Sequence, residues 1–143
     1  MGQVAKEWQI VREGEELVAA LCQKYPEKLG MVKADKVGVA QVTNKDRPEG
    51  DDVYAKIIEV TDPANVFCSK MYIIWFFKNT WDELNAAQKS ALIMSKLLRI
   101  NDVCDGGLLP EDLKDIKSMV KNFGVDYMVN PKLPDLAKEK VEF

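Results

Sequence analysis

The stretch IIWFFKNTWDELNAAQKSALIMSKLLRI, Ile73–Ile100, decides how the rest of the chain is read. Its first part belongs to Lys70–Lys78, whose unbroken apolar centre predicts a strand covered on both faces. Asn85-x-x-Gln88 has the form of a capping box, in which each side chain satisfies the other residue's backbone N–H, and predicts a helix from Ala86 to about Asn101. Thr80-x-x-Glu83 offers a competing start one turn earlier. Downstream, Gly106-Gly107 marks a loop over Asn101–Leu109. Pro110 then suits the first position of another helix, with Glu111 and Asp112 at the positive end of its dipole. Leu113, Ile116, Val120 and Phe123 form its apolar stripe, and Gly124 is placed to cap it.

Upstream, Val4, Trp8, Val11, Val18 and Cys22 follow helical spacing, which predicts an amphipathic helix over residues 3–24, ended by Pro26. Val37–Val42 reads as a strand of small residues. Asn44–Asp52 reads as a charged loop punctuated by Pro48 and Gly50, and Val53–Val60 as a second strand. Thr61–Ser69 turns through Asp62-Pro63 into the apolar strand. Asn130-Pro131 and Leu133-Pro134 make residues 125–143 an extended tail with one turn from Asp135. The expected fold is therefore one α+β domain over 1–143, with a small mixed, mostly antiparallel sheet packed under about three helices.

Composition narrows the chemistry. The chain has 143 residues, 47% of them hydrophobic and 30% charged, as in a globular domain. It contains no histidine. That removes Ser-His-Asp and Cys-His nucleophile systems and every zinc site that depends on imidazole. Twenty basic and 23 acidic side chains leave a net charge of −3, which supplies no field for gathering phosphate backbones, so no nucleic-acid partner is expected. Cys22, Cys68 and Cys104 lack the close spacing of a zinc knuckle or redox motif and read as reduced, half-buried structural thiols. No apolar run approaches the roughly 18 residues of a membrane span. No signal peptide is evident, and Lys6 departs from the myristoylation pattern that Met1-Gly2 begins. A cytoplasmic location is expected.

The order of elements from about Trp8 to Tyr127, strongest over Ile74–Gly124, resembles the phage metallopeptidases, a small zincin-like family of phages and prophages. The Ile73–Ile100 stretch is similar to that family's apolar edge strand and the helix carrying its His-Glu-x-x-His motif. LLPEDLKDIKSMVKNFG, Leu108–Gly124, resembles the segment bearing the third ligand and the helix after it. The resemblance implies a zincin-like fold, and zinc as the family's cofactor. It places Ser95 at the first ligand histidine, Lys96 at the general-base glutamate, Arg99 at the second histidine and Glu111 at the third, followed by Asp112.

All of those chemical types are replaced. Two histidines at i and i+4 project from one helix face onto zinc, and the glutamate activates the bound water. A serine is a poor zinc ligand, an arginine cannot release its proton, and a lysine puts a cation where a base is needed. No cofactor is therefore expected, and the expected function is that of a pseudo-metallopeptidase that binds a peptide or protein, with the edge strand near Met71–Phe77 as docking place.

Two arrangements follow for the altered positions. An Arg99–Glu111 ion pair could fill the space of the metal, with Lys96 assisting or pointing to solvent. Alternatively, these are ordinary surface charges. An enzymatic alternative uses Asp102, Asp105, Glu111 and Asp112 as oxygen ligands for a hard cation, or builds chemistry on Lys96, Glu111 and Cys104. The carboxylate spacing, however, lacks the order of a calcium loop, and Cys104 has no histidine to activate it. The aromatic run Tyr72, Trp75, Phe76 and Phe77 alternates across both faces of its strand, which favours packing over base stacking.

Overall fold

The computed structural model describes residues 7–30, 32–43, 54–100, 133–138 and 140. In chain order these form β1 (Trp8–Ile10), α1 (Arg12–Lys24), α2 (Pro26–Leu29), β2 (Val37–Val42), β3 (Lys56–Glu59), β4 (Tyr72–Phe77), α3 (Lys78–Asp82) and α4 (Ala86–Leu97). The expected loop at 44–52, the helix at 110–123 and most of the tail lie outside the described residues. The architecture is α+β, with a four-stranded mixed sheet in the order β1-β2-β4-β3. β1 and β3 pair antiparallel with their neighbours, and the central β2–β4 pair is parallel.

Strand alternation explains the layering. Tyr72, Ile74 and Phe76 of β4 point to one face and are buried, and Val37 and Val39 of β2 lie in register with the first two of them. α1 lies against β2 at Gly14, where a Cβ would come within 2.4 Å of Val39 Cγ1, so only glycine allows this approach. Val18 and Leu21 of α1, Ile93, Met94 and Leu97 of α4, and Leu136 from the tail complete the core. The tail is tied to α4 where Ser90 Oγ donates to Asp135 Oδ1 at 2.6 Å, and the turn expected from Asp135 closes when Lys138 N–H bonds its carbonyl.

Several expectations need correction. The first helix does not run from residue 3. Trp8–Ile10 is a strand, because Gln9 sits opposite Gln41 in the ladder and Trp8 Cα is in register with Val42, and α1 starts only at Arg12. β4 is not covered equally on both faces, since Ile73, Trp75 and Phe77 are only half-buried. Nor is it an edge strand, because β2 and β3 flank it. Thr80-x-x-Glu83 lies in the separate helix α3 and its exit, whereas Asn85 and Gln88 form the expected capping box at α4. α4 ends at Leu97, short of Asn101, because its last turn tightens: Arg99 N–H reaches Lys96 O and Ile100 N–H reaches Leu97 O.

The three helices around Trp81 are joined by one carboxylate. Glu13 Oε1 of α1 accepts from the Trp81 indole N–H at 3.0 Å and from Lys89 Nζ of α4 at 2.9 Å, and that ammonium lies 5.0 Å from the Trp81 ring centroid. Trp81 is 3% exposed, so Glu13→Ala leaves a buried donor unsatisfied. The expected loss is about 1–3 kcal/mol in urea unfolding. Glu13→Gln keeps an acceptor for the indole and loses only an exposed ion pair, so it is expected to cost roughly 0–1 kcal/mol.

Candidate functional site

The site proposed by the motif positions sits on the C-terminal half of α4. Eight consecutive residues, Ser90–Leu97, are buried, so this helix is enclosed all round instead of presenting one apolar stripe. Ser95 is 1% exposed, and its hydroxyl donates to the Leu92 carbonyl at 2.7 Å, a back-bond within its own helix. Lys96 is 4% exposed. The expectation that Lys96 points to solvent is thus overturned, and it is no ordinary surface charge. Lysine is almost never buried to this degree without a partner, and Lys96 has one.

Arg99 is half-buried and lies beyond the end of α4. The structure buries Ser95 and Lys96 and leaves Arg99 half-buried past the end of α4. Glu111, Asp112, Asp102, Asp105 and Cys104 lie outside the described residues, as does any Arg99–Glu111 pair. Among the described residues no group of three or more Cys, Asp or Glu side chains is placed to hold a metal. No helix among them is long and apolar enough to cross a membrane.

A family described as "Putative phage metallopeptidase" matches residues 6–139. The chain belongs to this family. No curated protein and no solved structure matches it. Against the family's name, two facts of this member stand out: it has no histidine, and the helix that the resemblance assigns to the zinc motif carries a self-bonded serine next to a buried lysine.

Two features were not foreseen from sequence. The first is the outer edge of the sheet at β3. Val60 N–H bonds Met71 O, and the β3–β4 register continues from that pair, so Lys56 and Ile58 bond inward to β4. The N–H and C=O groups of Ile57 and Glu59 consequently face the other side, where no strand pairs with β3 among the described residues. The second is a cavity of about 450 Å³ at the end of the sheet where β2 and β4 begin and β3 ends. Lys36, Glu59, Asn65, Cys68, Lys70 and Tyr72 are in its lining. Those residues are scattered over the chain, and no local spacing announces them.

Cys22 and Cys68 are both half-buried, as expected. Burial pushes the Cys22 thiol above its usual range. The neutral thiol is thereby favoured in the fold. Its contribution to stability is complete below the unfolded thiol's pKa of about 8.5 and is lost as pH rises through the higher folded value. In a Cys68→Ser/Cys104→Ser variant, alkylation of Cys22 at mildly alkaline pH is expected to be several-fold slower in the native protein than in urea. Equal rates would contradict this.

Proposed function

We propose that this protein is a non-catalytic member of the family that acts by binding an extended peptide or protein segment. The observation carrying this reading is the state of α4 at the motif positions. The Ser95 hydroxyl is engaged with its own helix, and Lys96 puts a buried cation where a metal-bound water would need a base. With no histidine in the chain, the family's ligand set cannot be assembled from any other part of it.

The binding element assigned here is β3. β4 has both of its edges occupied, whereas among the described residues no strand pairs with the outer edge of β3, where Ile57 is buried and the outward N–H and C=O groups of exposed Glu59 are open to strand addition. Ile58, 47% exposed, adds an apolar contact beside that edge.

The test combines hydrolysis and binding. The purified chain is expected to leave unfolded casein and a mixed peptide substrate uncut, with or without added zinc, while binding fluorescent extended peptides measurably by anisotropy. Glu59→Pro removes an outward N–H without removing a ladder bond, so it is expected to preserve the fold and abolish peptide binding. Chelator-sensitive hydrolysis would overturn the non-catalytic reading. Unchanged peptide affinity in Glu59→Pro would overturn the assignment to β3.

A further inference from the structure

β1 bonds to the sheet on one side only. Val11 N–H donates to Val39 O at 2.8 Å and Thr43 N–H to Glu7 O at 2.9 Å, so Glu7, Gln9 and Val11 are the residues whose main chain bonds inward to β2. The N–H and C=O groups of Trp8 and Ile10 therefore face away from the sheet, where no strand pairs with β1 among the described residues. Native edges are ordinarily guarded by a charge, a proline or a bulge. Trp8, Gln9 and Ile10 supply no charge and no proline, their register with β2 is unbroken, and all three are exposed.

The side chains along this edge alternate. Trp8 and Ile10 are 50% and 74% exposed on the sheet face away from the helices. Ile10, Ala40 and Trp75 form one row across β1, β2 and β4, and the Trp8 ring meets Trp75 edge-on with centroids 5.3 Å apart. Gln9 points to the other face, where its Oε1 accepts from Gln41 Nε2 at 3.2 Å. A strand added here must be apolar at two alternate positions with a polar residue between them, or Trp8 and Ile10 stay in water. β1 of a second copy has that pattern.

A two-fold axis at Gln9 sets β1 antiparallel to its copy, with Trp8 opposite Ile10 twice over. Every outward main-chain group of Trp8 and Ile10 is then bonded across the seam. Each indole lies beside an isoleucine, a favourable cross-strand pair, and residues 8–10 bring no like charges together. The contact is self-complementary and closed, as a two-fold interface requires. α1 leaves room for it. Gly14 seats α1 on Val39 of β2, one strand in from the edge. At ordinary strand spacing the two copies of β2 stand roughly 14 Å apart, more than the 8–10 Å at which helices pack, so both copies of α1 fit over the joined sheet.

We propose that this chain self-associates through β1 as a two-fold dimer, with one continuous sheet of eight strands in the order β3-β4-β2-β1-β1-β2-β4-β3. Both copies of β3 stay at the outer ends. The contact is thus independent of the peptide-binding reading, and either can fail without the other.

Sedimentation equilibrium of the full chain is expected to show reversible growth from 16.2 kDa toward twice that mass between micromolar and millimolar concentration. Ile10→Lys puts a cation on an exposed edge position. It should leave the circular dichroism spectrum unchanged and weaken association at least about tenfold. In a Cys22→Ser/Cys68→Ser/Cys104→Ser background, Gln9→Cys sets two thiols at the axis, in a pair without main-chain bonds whose Cα atoms lie about 4.5 Å apart, within reach of a disulfide. Mild oxidation should yield a covalent dimer, and adding Ile10→Lys should suppress it. A chain that stays monomeric over the whole range, undiminished association in Ile10→Lys, or association without a cross-link in Gln9→Cys would each overturn the proposal.

Discussion

Phe76→Ala is expected to destabilise the protein by about 3–5 kcal/mol, read as a fall in the urea midpoint at unchanged slope. Phe76 is 1% exposed on the helix-facing side of β4, next to the strand's end, and its ring stacks on Trp81 with centroids 4.2 Å apart and planes 4° from parallel. Truncation would remove that stack and open a cavity between sheet and α3 that neighbours fixed by the ladder cannot fill. Its strand neighbour provides the control. Trp75 points to the opposite face and is half-buried, with edge contacts to Trp8 and Phe77 and the Lys56 ammonium 5.4 Å from its ring. Trp75→Ala is expected to cost roughly 1–2 kcal/mol, since those contacts are partly solvated. Equal losses at the two positions would mean that the sheet does not have one buried and one half-open face.

Lys96→Glu is expected to be comparably damaging, at about 3–5 kcal/mol, with a melting temperature lowered by roughly 10 °C or more. The substitution installs the residue type that the family resemblance places at the general base. At a position 4% exposed it also reverses the charge inside a packed layer between Ser95 and Leu97. The new charge has to be desolvated in a layer packed around a lysine side chain. A Lys96→Glu protein that melts within a degree or two of the parent would show that the site tolerates a carboxylate and that the burial of Lys96 carries no structural weight.

These two positions also show how far the sequence could be read. The start of α4 was legible because its signal is local: Asn85 and Gln88 form both halves of the capping box within four residues. The strand at β4 and the turn at Asp135 were legible for the same reason, though not which face of β4 is the more buried. β1 was misread because Trp8 and Val11 happen to continue the helical spacing of Val18 and Cys22, while the feature that makes Trp8–Ile10 a strand is its pairing with the distant Ala40–Val42.

The place of β4 in the sheet is instructive in another way. Its unbroken apolar run reads as cover on both faces, whereas Ile73, Trp75 and Phe77 are half-buried, and the edge position carried over from the family fails because β2 and β3 flank it. The burial of Lys96 had no local signal at all, because lysine on a helix is ordinarily solvated and only the enclosure of α4 on every side makes it otherwise. The cavity was equally hidden, since Lys36, Glu59 and Lys70 meet through strand register alone.

The belonging of this chain to a metallopeptidase family and its lack of histidine meet in a single quantity, its affinity for zinc. The direct measurement is a calorimetric zinc titration of the chelator-treated full chain, followed by dialysis and elemental analysis. The account predicts no saturable binding and far less than one zinc ion per chain. Stoichiometric zinc retained through dialysis would contradict it.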